Sequence, residues 1–328
     1  MFGLGGKPEL EKKINYTKYV CSGIILAKEL VNRPTNLLTP VLAEEAEKIV
    51  ASRRDVFTLK ILDKQQCQDL KMGLFLAVAG ASANLPKFIH FWYKPTSGPV
   101  KTKIALVGMG LTNHSSAALM KFEMGGAAAV LGAAEAIGQI KPSGVEVHFI
   151  VPACENMIAG TGMRPGFILT ASNEKIIEVD NDSEGGLTLA DALVYASNQG
   201  VDKIVDLATW DGACVAVLGS STAGVFSASD ELFEEVFAAS EVAGEKLWRL
   251  PMEESNGESK KSVVAGMINT SGREGGGPRF LKQFVGEKVE WLHVDMTGPV
   301  WNMKKMTATG FATHSLVEWV LSNATPEV

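Results

Sequence analysis

An α/β fold with a largely buried sheet is predicted from three features of the sequence. Short runs rich in β-branched and aromatic residues alternate with longer runs of helical period. Hydrophobic residues make up 46% of the chain against 21% charged, enough apolar material for a sizeable core. No internal repeat, low-complexity tract or clear linker interrupts the chain after the first 20 residues, so one domain of catalytic size is expected.

The elements follow in order. Residues 1–8 are glycine-rich and read as a flexible tail, leaving 9–328 as the domain. From Glu9 to Val31 the pattern is helical, and Asn32-Arg33-Pro34 ends it. Thr39-Pro40 reads as the next helix start: Thr39 can cap, Pro40 suits the first helical position, and Glu44 and Glu45 favour the positive end of the dipole. Strand-like runs are Val56–Leu62, Phe88–Tyr93, Ile104–Val107, Val145–Val151, Lys203–Leu207 and Val289–Val294. Helical runs between them are Met120–Ile137, Leu187–Asn198, Asp230–Glu245 and Thr313–Leu321. In the second of these Leu187, Ala190, Leu193 and Val194 share one face, and Gly200 ends the helix.

Charge and composition exclude several functions. With 31 basic and 37 acidic residues the net charge is −6, so no basic excess is available to neutralise phosphates. Four cysteines lie far apart with no C-x-x-C spacing, which argues against a disulfide scaffold or zinc ribbon and fits a reducing compartment. No run reaches the ~18 apolar residues of a membrane span. No targeting segment is visible in the first residues. Neither nucleic acid nor membrane is expected as a partner.

Glycine is abundant, yet Val107-Gly108-Met109-Gly110 lacks the third glycine of a dinucleotide fingerprint and no G-x-x-x-x-G-K-[ST] occurs. The informative stretch is Asp180-Asn181-Asp182-Ser183-Glu184-Gly185-Gly186-Leu187, between a strand-like run (Lys175–Val179) and a helix. Ligands bind at such strand ends in open α/β sheets. In extended backbone Asp182 and Glu184 leave the same face, and two carboxylates in one place suit a divalent cation. Spacing alone favours the plainer alternative, an acidic turn with Asp182 or Ser183 capping the helix. Glu123 reads as a first-turn glutamate placed by the helix dipole. His114 follows a strand end, where it is a solvated loop histidine or a metal ligand.

These segments resemble the cytosol (leucyl) aminopeptidase family, peptidase family M17, in its plant form. Asn32-Arg33-Pro34-Thr35-Asn36-Leu37-Leu38-Thr39-Pro40 resembles the segment that opens the family's catalytic region. Val107-Gly108-Met109-Gly110-Leu111-Thr112 is similar to V-G-K-G-L-T, and Met120–Ala128 to M-K-F-D-M-G-G-A-A. Asn181–Leu187 is similar to T-D-A-E-G-R-L. The resemblance implies a mixed, mostly parallel central sheet flanked by helices, with the family's N-terminal domain absent. It also implies release of N-terminal amino acids from peptides, two ions of manganese, zinc or magnesium, a hexameric assembly, and a cytoplasmic or chloroplast location. Paired metals suit such hydrolysis because both the attacking and the carbonyl oxygen gain charge stabilisation.

Carried over residue by residue, that resemblance implies a damaged site. The family's ligand lysine falls on Met109, and its T-F-D-S-G-G aspartate on His114. The K-F-D-M-G-G aspartate becomes Glu123, one methylene longer, while Asp182 and Glu184 match their ligand positions. The arginine that holds a catalytic carbonate falls on Gly186. Eight residues separate His114 from Glu123, and the shortened loop lacks the catalytic lysine; Lys121 matches a different position. Thr209, Trp210 and Gly212 fall where the family lines its substrate pocket, with Trp210 and Asp211 replacing smaller or neutral residues. Gly272–Phe280 is shortened against G-R-Q-G-G-A-I-T-A-A-L-F. The expectation is an aminopeptidase fold with weak or lost activity, at most one Mn²⁺ or Zn²⁺ held by Asp182, Glu184, Glu123 and His114. The alternative is a non-catalytic subunit assembling with active family members.

Overall fold

A computed structural model of the chain describes residues 7–114, 122–157, 159–180, 184–210, 212–252, 262–269 and 276–325. Its central sheet has nine strands: β1 (Phe57–Leu62), β2 (Lys87–Tyr93), β3 (Thr102–Gly108), β4 (Gly110–His114), β5 (Val145–Asn156), β8 (Lys203–Ala208), β9 (Thr222–Ser227), β10 (Lys246–Arg249) and β12 (Glu290–Asp295). The order is β1-β2-β5-β3-β8-β12-β9-β10, with β4 also paired to β5. The pairings of β5 with β3 and β4, β3 with β8, β8 with β12 and β9 with β10 are parallel; those of β2 with β1 and β5, and of β12 with β9, are antiparallel. The sheet is therefore mixed and mostly parallel, as expected. Strands β6 (Ile168–Thr170), β7 (Ile176–Glu178) and β11 (Met267–Ile268) form a separate small sheet, and β13 (Trp301–Asn302) pairs with β14 (Thr307–Ala308).

Helices cover both faces. One core joins the sheet to α1 (Lys7–Asn32), α2 (Leu38–Ala51), α5 (Gly125–Ile140), α8 (Asp230–Ala243) and α10 (Thr313–Ser322). The other joins it to α3 (Lys64–Asp69), α4 (Gly73–Ala79), α6 (Glu184–Ser197) and α9 (Gly276–Lys282), while α7 (Gly212–Leu218) lies beside β9. Strand periodicity divides the side chains between the cores. Ile104 and Leu106 of β3 enter the first; Ala105 and Val107 enter the second. Each fully buried large apolar side chain contributes about 1.5–3 kcal/mol, so a sheet covered twice anchors the strand ends firmly.

Several boundaries depart from expectation for identifiable reasons. A short 3-10 turn, Thr35–Leu37, leads into α2, which starts at Leu38. Thr39 is thus inside the helix, and its Oγ1 lies 2.5 Å from Thr112 Oγ1 on β4. Pro40 is tolerated because the first turn's N–H groups have no intrahelical acceptor anyway. The Met120–Ile137 run becomes α5 only from Gly125; residues 122–124 form a turn before it, and Met120 and Lys121 lie outside the described residues. The α6 helix stops at Ser197, with Gly200 at φ +71° in the turn beyond, and α8 stops at Ala243 because Gly244 takes φ +72°. Strands β9 and β10 and the short helices α3, α4, α7 and α9 are too brief or too mixed in pattern to read from the sequence. The run Lys175–Val179 does form a strand, but β7 belongs to the small sheet. The strand-end argument for the acidic stretch therefore does not run through it.

Candidate active site

The central strands that do end at the site are β3, β8 and β12. Met109 follows β3, Thr209 and Trp210 follow β8, and Asp295 ends β12. The joint is backbone-tight. Met109 N–H donates to the Leu207 carbonyl at 2.9 Å, and Ala127 N–H donates to the Met109 carbonyl at 3.1 Å. A Cβ on Gly126 would stand 2.2 Å from the Leu207 oxygen, so only glycine lets α5 reach the strand ends. That approach brings the turn carrying Glu123 over the strand ends, where Thr209 Oγ1 donates to the Glu123 carbonyl at 3.2 Å.

Glu123 is not a solvated first-turn glutamate. Its Oε2 is buried with no hydrogen-bond partner. Burial, and then the charge of Glu184, push its pKa up to about 8. Glu184, the first residue of α6, is itself only 8% exposed. The two carboxyl groups are therefore electrostatic neighbours. Met109 joins them: it is buried, and its Sδ lies 2.3 Å from where a Cβ on Gly185 would stand. The thioether is packed on the first turn of α6. Gly186, the next residue, faces the Trp210 ring.

Other expected residues are not brought into view. Residues 181–183, with Asp182, lie outside the described residues, as do Asp211, Arg273 and Glu274. The His114 backbone ends β4 opposite Asn156, but its side chain lies outside the description. Gly212 starts α7, and a Cβ there would meet nothing within 4 Å.

The donor set decides which cation fits. Two carboxylates, one with an unpartnered buried oxygen, suit one hard or borderline divalent ion. Met109 adds only a soft thioether, which suits neither manganese nor magnesium. The described residues fit one ion and do not fit a pair. Among them no group of three or more His, Cys, Asp and Glu side chains is placed to hold a metal.

Sequence reading missed a buried network behind the site. Asp206 Oδ2 accepts from Trp291 Nε1 at 2.5 Å, and its Oδ1 lies 2.6 Å from His293 Nδ1. Burial opposes charge on His293, yet Asp206 and Asp295 hold its pKa above the ordinary value. The His293 ring stands edge-on to Trp210, centroids 5.7 Å apart at 87°. The available signal was polar residues inside otherwise apolar strands, Asp206 in β8 and His293 in β12.

Comparison with known proteins places this arrangement. The family model described as "Cytosol aminopeptidase family, catalytic domain" matches residues 25–317. The chain is 63% identical over 340 residues to leucine aminopeptidase 2, chloroplastic, of Arabidopsis thaliana, covering 99% of this chain and 58% of that protein. Against leucine aminopeptidase 1 of the same plant the identity is 62%, over 99% of this chain and 65% of the relative. A solved structure of a tomato leucine aminopeptidase mutant superposes with a TM-score of 0.94 at 60% identity, covering 98% of this chain and 64% of that one. The chain thus spans about three-fifths of the length of these relatives.

Proposed function

Because the chain belongs to the cytosol aminopeptidase family, we propose that it is an aminopeptidase-type catalytic domain in which release of N-terminal amino acids from peptides is weak or lost. The observation that carries the reading is Met109 packed against Gly185, the residue that follows Glu184 in the first turn of α6. By resemblance that position belongs to a metal-binding lysine, and Gly186 to the arginine of the carbonate site. A bound Mn²⁺ or Zn²⁺ would supply polarisation of a carbonyl and a water of lowered pKa. Glu123 and Glu184 would hold it, with Asp182 and His114 as the further ligands the resemblance implies. Met109 supplies no second nitrogen ligand, and Gly186 supplies no guanidinium. The family's oxyanion lysine has no counterpart in the sequence; losing one such donor elsewhere costs about 10²–10³ in rate.

The second reading is a non-catalytic subunit that joins active family members in a hexamer-like assembly. It is supported by the contrast between a retained two-sided core and an altered donor set. The chloroplastic names of several relatives support a chloroplast location. The deciding experiment is hydrolysis of a leucyl amide by purified protein in excess Mn²⁺, beside Asp182→Asn. Little or no turnover from folded protein is expected. Turnover that disappears in Asp182→Asn would show a working rebuilt site and overturn the proposal. Co-purification with a longer homologue, without turnover, identifies the subunit role.

A further inference from the structure

Trp210 lies where the strand end of β8 meets the first turns of α6 and α9, and its ring has three close neighbours. A Cβ on Gly186 would stand 2.4 Å from Cη2 and 2.9 Å from Cζ2 of the indole. A Cβ on Gly277 would stand 2.5 Å from Cε2, 2.6 Å from Cζ2 and 2.7 Å from Nε1. The His293 ring meets it edge-on. Contact with one glycine alone could be relieved by swinging the side chain. Contact with two helices at once is harder to relieve, because both Cβ positions fall on the same carbon, Cζ2, of a rigid bicycle.

We infer that the Trp210 indole is a plug locked over the first turn of α6 by Gly186 and Gly277, and that it determines what this part of the site can admit. The plug makes any side chain at either position costly. A side chain at position 186, an anion held there, or a bulky ligand group cannot share the volume with the indole. Restoring a basic residue at 186 alone therefore cannot rebuild the site; Trp210 must shrink first. The inference rests on packing and not on turnover, so its failure is separable from that of the functional proposal.

The test is a double-mutant cycle read by thermal unfolding of the full chain. Gly186→Ala and Gly277→Ala are made in the parent and in Trp210→Leu. Trp210→Phe, which keeps a ring but lacks the second one, gives the same comparison with a smaller cavity. In the parent each alanine is expected to lower Tm by about 2–6 °C, the range for overpacking in a chain of this size. With Leu or Phe at 210 the loss is expected to vanish or reverse, since alanine outranks glycine in a helix. Equal shifts in both backgrounds, or no shift in the parent, would overturn the plug.

Discussion

His90 and His148 are directly hydrogen-bonded across neighbouring strands, Nε2 of the first 2.9 Å from Nδ1 of the second, with ring centroids 5.2 Å apart and planes 18° from parallel. The link sits inside a longer chain. Tyr195 hydroxyl lies 3.0 Å from His90 Nδ1, and His148 Nε2 lies 3.1 Å from Glu146 Oε1. One tautomer assignment satisfies every contact: Tyr195 donates to His90, His90 to His148, and His148 to Glu146. Burial keeps both rings neutral, and among neutral tautomers this assignment fits every contact.

That neutrality predicts a loss of stability in mild acid. Burial, then His148 and Lys60, push the His90 pKa down to about 3. Burial also lowers that of His148, opposed by Glu146 and reinforced by Lys103. The unfolded chain takes up protons below about pH 6.5 that the folded chain refuses, so stability falls as pH drops through that value. The slope is about 1.4 kcal/mol per pH unit for each neutral histidine, or about 2 kcal/mol for His90 alone between pH 6.5 and about 5. Urea midpoints at the two pH values should show it, and His90→Phe should flatten the dependence. A midpoint that does not move with pH in the parent would refute the tautomer chain.

Asp191 is expected to be a large single contributor to folding. It is fully buried on α6, and its carboxylate accepts from the N–H groups of Leu74, Phe75 and Ser172 at 2.9, 3.0 and 2.8 Å. It thereby ties the first turn of α4 to α6. Asp191→Ala strands three buried donors and should cost about 3–5 kcal/mol by urea denaturation. Asp191→Asn keeps one acceptor and should cost less. A cost below about 1 kcal/mol for alanine would mean that water replaces the carboxylate.

The crossing of α1 on α5 depends on two facing glycines. A Cβ on Gly23 would stand 2.2 Å from the Gly132 carbonyl oxygen, and one on Gly132 2.5 Å from the Gly23 oxygen. Backbone oxygens cannot rotate aside, so Gly132→Ala must push the helices apart. A loss of about 1–3 kcal/mol is expected. Gly212→Ala, with nothing within 4 Å of its Cβ, serves as the control and should be near neutral in a circular-dichroism melt.

Divalent ions should stabilise the chain through its carboxylates if Glu123 and Glu184 share an ion. Mn²⁺ at a hundredfold excess over its Kd should add about 2.7 kcal/mol, seen as a rise in Tm that chelator reverses. Glu123→Gln and Glu184→Gln should each abolish the rise. An equal rise in both variants would place the ion elsewhere.

Much of the fold and part of the site could be read from residues alone. Six strands and five helices announced themselves because their runs were long and their periods clean, as in Leu187–Val194. Thr39 and Lys175–Val179 misled because local pattern cannot say which element a helix start or strand will meet. Glu123 looked like an ordinary dipole glutamate because burial is invisible along the chain. Asp206 and His293 were passed over because 87 residues separate them and only the parallel register of β8 and β12 sets them side by side.

The sequence by itself determined the fold class and the family resemblance, and that resemblance alone sets Met109 and Gly186 against a lysine and an arginine. These are properties of residue type and order, which periodicity and motif spacing carry directly. The tertiary structure alone decided that a Glu123 carboxyl oxygen is buried near Glu184, that Met109 packs on Gly185, and that Trp210 meets both Gly186 and Gly277. Such relations depend on how closely backbones approach across the sheet and on what is shielded from water. Neither quantity is encoded at any one position; each emerges only when distant segments pack.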